Sequence, residues 1–159
     1  MTLIVEDGTG KPNAESYVSS AELTAYASDR GITIVGDVDA LLLKSILYID
    51  QLSFSGLKLT KEQSMQWPRS NVSIDGFSVE LDEIPRLLKD LQFEVSIAIG
   101  NGNDPLADVE RSIKREKVDA IEVEYLDNSA PFVYSLRIKS LERKLTAFSG
   151  GVSFSVTRK

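Results

Sequence analysis

At 159 residues, 42% of them hydrophobic and 26% charged, the chain is sized for one domain that buries its own core. It holds neither histidine nor cysteine, which excludes imidazole bases, thiol nucleophiles, His/Cys metal sites and any disulfide framework. With 24 acidic against 18 basic residues the formal charge is −6, a field that repels phosphate backbones unless a local basic patch overrides it.

Leu3-Ile4-Val5 reads as a short strand or an adhesive N-terminal arm, followed by a loop through Asp7-Gly8-Thr9-Gly10. The opening MTLIVEDGTGK has neither the basic region nor the long apolar stretch of a secretory leader, so folding in the cytoplasm is expected. No apolar run approaches the roughly 20 residues that cross a bilayer, and no membrane partner is expected. Ser19-Ser20-Ala21-Glu22 predicts a capped helix start, with Val18 and Leu23 placed as a hydrophobic staple and Gly31 as the stop after about Arg30. Asp37 caps a longer helix to about Leu52. Its stripe is Val38, Leu41, Leu42, Ile46, Ile49 and Leu52, widened by Leu43 and Leu47, which makes it the central helix.

Thr60 and Gln63 form a second capping-box pattern, so a short helix is predicted, ending near Trp67 because Pro68 follows. Ser70 to Asp82 reads as loop or weak hairpin turning at Asp75-Gly76. Pro85 suits the first turn of a third helix with Leu88, Leu91, Val95, Ala98 and Ile99 on one face, closed by Gly100 to Gly102. The period then changes. Ile121, Val123 and Tyr125 alternate with Glu122 and Glu124, and with 111–117 they predict a hairpin bending near Asp119-Ala120. Pro131 opens a last helix with the stripe Tyr134, Ile138, Leu141, Leu145 and Phe148, broken by Gly150-Gly151. The tail Val152-Ser153-Phe154-Ser155-Val156 alternates and ends in Arg158-Lys159, either a short strand or an arm that orders against a partner.

The expected architecture is mainly α: a compact helical bundle over about 16–149, a small β-hairpin over about 111–126, and extended N- and C-terminal arms, the latter 150–159. Residues 1–159 form a single domain in this reading. Charge is graded along it. Arg137 to Lys159 carries six basic residues and one acidic, and Met1 to Arg30 five acidic and two basic, a pattern suited to head-to-tail packing of copies.

Chemistry is hard to find. Asp37 and Asp39 read as cap and first-turn residues, which the helix dipole favours. Glu80, Asp82 and Glu83 cluster before a helix without the converging oxygens of a hard-cation site. Nothing activates Ser19 or Ser20 as a nucleophile. Gly8-Thr9-Gly10-Lys11 resembles a phosphate loop only superficially, since Lys11 precedes Pro12. Catalytic, cofactor and metal sites are accordingly expected to be absent. For nucleic acid, Trp67-Pro68-Arg69 sets an aromatic beside a cation, the ingredients of a stacking platform, and Lys114, Arg115 and Lys117 add a basic patch diluted by glutamates at 110, 116, 122 and 124. The competing reading makes Trp67 a loop anchor in the core and Arg69 a cap on carbonyls or a partner of a carboxylate.

One resemblance is carried by the order of several short motifs. They are Glu15-Ser16-Tyr17-Val18-Ser19, Tyr48-Ile49-Asp50, Gln66-Trp67-Pro68-Arg69, Ile84-Pro85, Lys114-Arg115-Glu116-Lys117-Val118 and Ile121-Glu122-Val123-Glu124-Tyr125. Across about residues 13 to 140 the chain resembles a family of small phage proteins, often called DnaT-like single-stranded-DNA-binding proteins, which is similar to the head–tail connector or head-completion proteins of siphophages. The resemblance implies a virion protein made in the host cytoplasm, a subunit of a commonly twelve-fold ring in the neck. Its implied partners are copies of itself, the portal protein, a tail-side neck or terminator protein, and genomic DNA that passes without sequence-specific binding. It brings no catalytic or cofactor residue. It places Tyr17, Trp67, Pro68 and Arg69 at motif positions, where fold and loop anchoring is expected of them. The stretch Leu52 to Leu59, LSFSGLKL, departs from the family in its single charge.

Overall fold

The computed structural model describes residues 3–106, 113–117, 122–125 and 135–146. Among these are four helices, α1 (Ser20–Ser28), α2 (Val38–Ile49), α3 (Arg86–Gly100) and α4 (Leu136–Thr146). Six short strands pair two by two: β1 (Leu57–Lys58) with β2 (Arg69–Ser70), β3 (Ser73–Ile74) with β4 (Phe77–Ser78), and β5 (Ile113–Lys117) with β6 (Glu122–Tyr125), all antiparallel. The architecture therefore mixes helices with small β ladders, and the expectation of a mainly α bundle fits only loosely. The difference lies in residues 57–78. There the backbone finds its partners in four two-residue strands and side-chain caps, too short for two-residue alternation to signal.

The helix ends follow the chemistry read from the sequence. Ser19 Oγ accepts the Glu22 N–H at 3.2 Å while Glu22 Oε2 accepts the Ser19 N–H at 2.7 Å, a reciprocal capping box. Val18 and Leu23 are both fully buried in one cluster with Tyr26, Ala27, Leu42, Phe93 and Ile97. Past α1, Gly31 takes φ +64 and the Ile32 N–H reaches back to the Ala27 carbonyl at 2.9 Å, so glycine supplies the left-handed stop. Asp37 accepts the Ala40 N–H at 3.0 Å to start α2. Pro85 stands just outside α3 as its N-cap, one place before the first turn, and its carbonyl takes the Leu88 N–H at 2.9 Å.

α2 packs on α3, α3 on α4 and α1 on α2. The larger cluster gathers Leu41, Ile46 and Ile49 of α2, Leu88, Leu91, Val95 and Ile99 of α3, and Ile138, Leu141 and Leu145 of α4 around Tyr17, Met65 and Trp67. Leu47 does not widen the α2 stripe. It is 60% exposed, because neither α1 nor α3 covers that side of the helix. Tyr134 and Phe148, the bend at Asp119-Ala120, the start at Pro131 and the tail from Gly150 lie outside the described residues.

Two further expectations are corrected. No helix forms over residues 60–67. The Thr60–Gln63 box exists, with Thr60 N–H donating to Gln63 Oε1 at 2.9 Å and Gln63 N–H to Thr60 Oγ1 at 3.1 Å. But Gln63 Nε2 is spent on the Met65 and Pro68 carbonyls, and the Ser64 N–H, which a helix would direct to residue 60, donates to the Lys11 carbonyl. Nor is the N-terminal segment an arm from Leu3 onward. Val5 bridges Ser16 in parallel, and the Glu6 N–H donates to the Ser16 carbonyl at 2.8 Å.

Ile46 sits 8% exposed on the face α2 shares with the main cluster. Ile46→Asp should abolish the cooperative thermal transition followed by circular dichroism, since an unpaired buried carboxylate costs several kcal/mol, about what a small domain has in total.

Candidate functional site

The sequence offers one aromatic–cation motif, and the fold determines what it can touch. Trp67 is fully buried, edge-on to Phe54 with ring centroids 6.0 Å apart. Its backbone N–H donates to the Tyr17 hydroxyl at 3.1 Å, and burial pushes that phenol well above its ordinary range. Arg69 is 9% exposed. Its Nε donates to the Ser55 carbonyl at 2.7 Å, Nη2 to the carbonyls of Gly56 at 2.9 Å and Phe54 at 3.3 Å, and Nη1 to the Gln66 carbonyl at 3.1 Å. The guanidinium ties consecutive carbonyls of the Phe54–Gly56 bend to the next loop, and desolvation lowers its pKa. Gly56 itself cannot carry a side chain, since a Cβ would fall 2.1 Å from the Ser70 carbonyl oxygen. Trp67 and Arg69 thus form an interior brace, and neither face of the indole is open to a base. The Trp67 Nε1 alone, among described buried side-chain nitrogens and oxygens, lacks a hydrogen-bond partner.

Behind this brace stands a buried polar hub. Gln92 of α3 is fully buried, with Oε1 accepting the Tyr17 N–H at 3.0 Å and Nε2 donating to Ser16 Oγ at 2.8 Å and the Leu42 carbonyl at 3.4 Å. The loop at Gly8-Thr9-Gly10-Lys11 does form an anion cradle, but its occupant is internal. Buried Glu6 accepts the N–H groups of Gly8 and Gly10 at 2.9 Å through Oε1 and that of Lys11 at 2.8 Å through Oε2. No phosphate can enter a site already filled by the chain's own carboxylate. At its lip, the Lys11 ammonium 2.8 Å from Asp7 holds that carboxyl far below its usual value.

The other candidates are placed as follows. Ser19 is a cap, and Ser20 Oγ donates to Asp39 Oδ1, joining α1 to α2. Asp37 is the α2 cap. Glu80, Asp82 and Glu83 all project into solvent before α3, and among the described residues no group of carboxylates could hold a metal. In the hairpin the register sets Arg115 opposite Glu124 and Lys117 opposite Glu122, with a bulge between Ile113 and Arg115. Each of those two cationic positions thus faces a carboxylate-bearing one. The register therefore interleaves acidic positions with the cationic ones of the run Lys114-Arg115-Glu116-Lys117.

Sequence reasoning missed a clasp across three helices. Arg137 of α4 lies 2.5 Å from Glu94 of α3 and 3.0 Å from the Tyr26 hydroxyl of α1, which itself donates to Glu94 at 2.6 Å. Arg30 lies over the Tyr26 ring at 3.5 Å, and burial with the Glu94 hydrogen bond pushes that phenol up to about 12. A second tie joins the Tyr48 hydroxyl of α2 to Glu142 of α4. Spacing along the chain carries no trace of either, since the partners on different helices stand from 43 (Arg137 and Glu94) to 111 residues apart.

A family model described as "Putative DnaT-like ssDNA binding protein" matches residues 1–159. The chain belongs to that family. Neither a curated protein nor a solved structure matches it. The DnaT-like description names single-stranded DNA. Yet among aromatic side chains described here Tyr17, Tyr26, Tyr48, Phe54, Trp67 and Phe93 are buried, and Phe77 alone is exposed.

Two outcomes test the brace and the α2–α4 tie. Arg69→Lys keeps the charge but loses the fork that reaches several carbonyls, and should lower unfolding stability by about 2–3 kcal/mol in urea with an unchanged m value. Glu142 has its pKa raised, chiefly by burial. A carboxyl raised in the folded state favours folding while protonated, so its contribution is present at acid pH and lost as pH climbs through the ordinary carboxylate range. Glu142→Gln, which keeps an acceptor for Tyr48, should therefore raise the melting temperature at pH 7 and lose that advantage near pH 4.

Proposed function

We propose that the chain is a non-enzymatic subunit of a phage head–tail connector, acting by contact with copies of itself, a portal protein and a tail-side neck protein. The observation that carries this reading is the interior position of Tyr17, Trp67 and Arg69: residues of the family pattern serve to brace the fold, which leaves shape and surface as the means of action. Support comes from the order of motifs across residues 13 to 140, from the formal charge of −6, and from a hairpin ladder in which cationic and acidic positions stand opposite one another. An acidic channel component lets DNA slide without sticking, because binding to phosphates grows with the number of cations brought to them. The graded charge between the chain's two ends suits packing of copies in a ring, with the β5–β6 hairpin as a further contact.

A second reading is favoured by the family description itself, whose printed words are single-stranded-DNA binding, and which speaks for that activity rather than for a connector. In that reading the chain is a phage single-stranded-DNA-binding or replication accessory protein. Its interface would lie away from Trp67 and Arg69, toward the cationic positions Lys114, Arg115 and Lys117.

The two readings predict opposite results. Mixed with portal particles, a connector subunit should form rings visible by electron microscopy, and should bind a labelled single strand only weakly at physiological salt. Submicromolar binding that weakens steeply with rising salt, with no association to portal particles, would establish the second reading and end the first.

A further inference from the structure

The successive N–H groups of Gly8, Thr9, Gly10 and Lys11 all end on carboxylates of the residues just before them. Glu6 Oε1 accepts from Gly8 and Gly10 at 2.9 Å each, and Oε2 from Lys11 at 2.8 Å. Asp7 Oδ1 accepts the Thr9 N–H at 3.2 Å and the Thr9 hydroxyl at 2.7 Å. Gly8 and Gly10 take φ of +102 and +75, and this alternation turns the amides between and after them toward one point. Glu6 is 1% exposed, and no cation is paired with it among the described residues. The Lys11 ammonium is spent on the Val5 carbonyl at 2.9 Å and on Asp7 at 2.8 Å. Backbone amides alone hold the buried charge.

The same loop fastens the N-terminal segment to the body. The Lys11 carbonyl takes the Ser64 N–H at 3.1 Å, and the Ala14 carbonyl takes Ser64 Oγ at 2.7 Å. Gly8 lies so close to the turn at residues 80–83 that a Cβ there would stand 1.8 Å from the Asp82 carbonyl oxygen. A Cβ on Gly10 would meet Thr60 Oγ1 at 3.3 Å. These approaches need the loop's shape, and the shape needs an anion at its focus. Without one the amides of Gly8, Gly10 and Lys11 converge on each other unpaired. The choice of anion is narrow. A planar pair of oxygens satisfies the amides, whereas a phosphate would bring further oxygens and a second charge toward Asp7 at the lip, with Thr60 and Gln63 packed against Gly10.

We propose that the Gly8–Lys11 loop is a receptor for one carboxylate and that Glu6 is its built-in occupant. Occupancy decides whether residues 3–16 stay fastened to the 60–65 loop and the 80–83 turn. When the Glu6 side chain is removed, a free monocarboxylate takes its place, since Glu6→Ala deletes a methylene carboxylate, which is acetate but for one hydrogen. This holds for a connector subunit and for a DNA-binding protein alike, so its failure leaves the functional reading untouched.

Hydrogen exchange followed by mass spectrometry reads occupancy in the full chain. Glu6→Ala should speed exchange in the peptide over residues 3–16 by about tenfold or more, because its charge-assisted bonds are lost, while α2 and α3 stay protected. Sodium acetate at about 100 mM should reverse this saturably, by linkage, and sodium chloride of equal ionic strength should not. Where Glu6→Ala fails to fold, recovery of its circular dichroism spectrum in acetate reads the same occupancy, and no recovery counts against the proposal. Glu6→Gln keeps the place filled but sets an NH2 against the Lys11 N–H, so its loop should loosen without any response to acetate. The unaltered chain should not respond either. Acetate that leaves Glu6→Ala unchanged, or that tightens every one of these chains alike, would overturn the receptor. Sodium phosphate restoring the loop as well as acetate would overturn the carboxylate assignment and make the loop a phosphate site.

Discussion

The Trp67 backbone N–H donating to the Tyr17 hydroxyl at 3.1 Å holds two loops to one core, and most of the fold is arranged around that contact. Tyr17 can take this position because Gln92, buried in the middle of α3, accepts its backbone N–H and fixes Ser16 beside it. Trp67 can take its own because Arg69 and Gln63 satisfy the carbonyls on either side of it. A segment without regular structure can lie in the interior only if its backbone groups find partners there. Here the partners are side chains of Gln63, Arg69 and Gln92. Loss of any one leaves buried carbonyls or amides unpaired, a cost of about 1–3 kcal/mol each.

The helices were legible because their causes are local. Ser19 and Glu22, Asp37, Gly31 and Gly102 act within one turn of where they stand, and the apolar steps of α2, α3 and α4 mark the faces that meet. Local causes also misled. Thr60 and Gln63 make the box a helix start would make, but the backbone beyond them, at Ser64, is claimed by Lys11, 53 residues away. Leu47 satisfies the α2 period and still faces solvent, because periodicity says which residues share a face and not whether a neighbour covers it. The Glu6 cradle was half legible. The Gly-Thr-Gly-Lys run was visible as an anion-binding shape, and the carboxylate filling it stands just upstream, yet nothing in spacing alone says that the chain will serve as its own ligand.

Electrostatics divides between interior ties and outer surface. Arg69 and Arg137 spend their charge on carbonyls, a phenol and carboxylates of the same chain, so neither is available in full to a polyanion. In the hairpin the backbone register sets the positions of Arg115 and Lys117 opposite those of Glu124 and Glu122. Counting lysines and arginines in the sequence therefore overstates the positive surface. The excess of carboxylates sits outside, notably from Glu80 to Glu83.

Membership of the DnaT-like family has a physical meaning that can be separated from the family's description. Tyr17, Trp67 and Arg69, which carry the resemblance, are the residues that join the N-terminal loop, the 54–70 loops and α3. A pattern made of such residues travels with the fold, whatever its surface does, because replacing any of them unpairs buried backbone. The family match over residues 1–159 spans these interior residues. Outside that interior, Leu57, Phe77 and Leu81 are exposed apolar side chains, and Glu80, Asp82 and Glu83 are exposed carboxylates beside them. The exposed ring there, Phe77, lines a cleft that holds both a carboxylate, Glu83, and a cation, Arg86, so neither sign of charge prevails beside it.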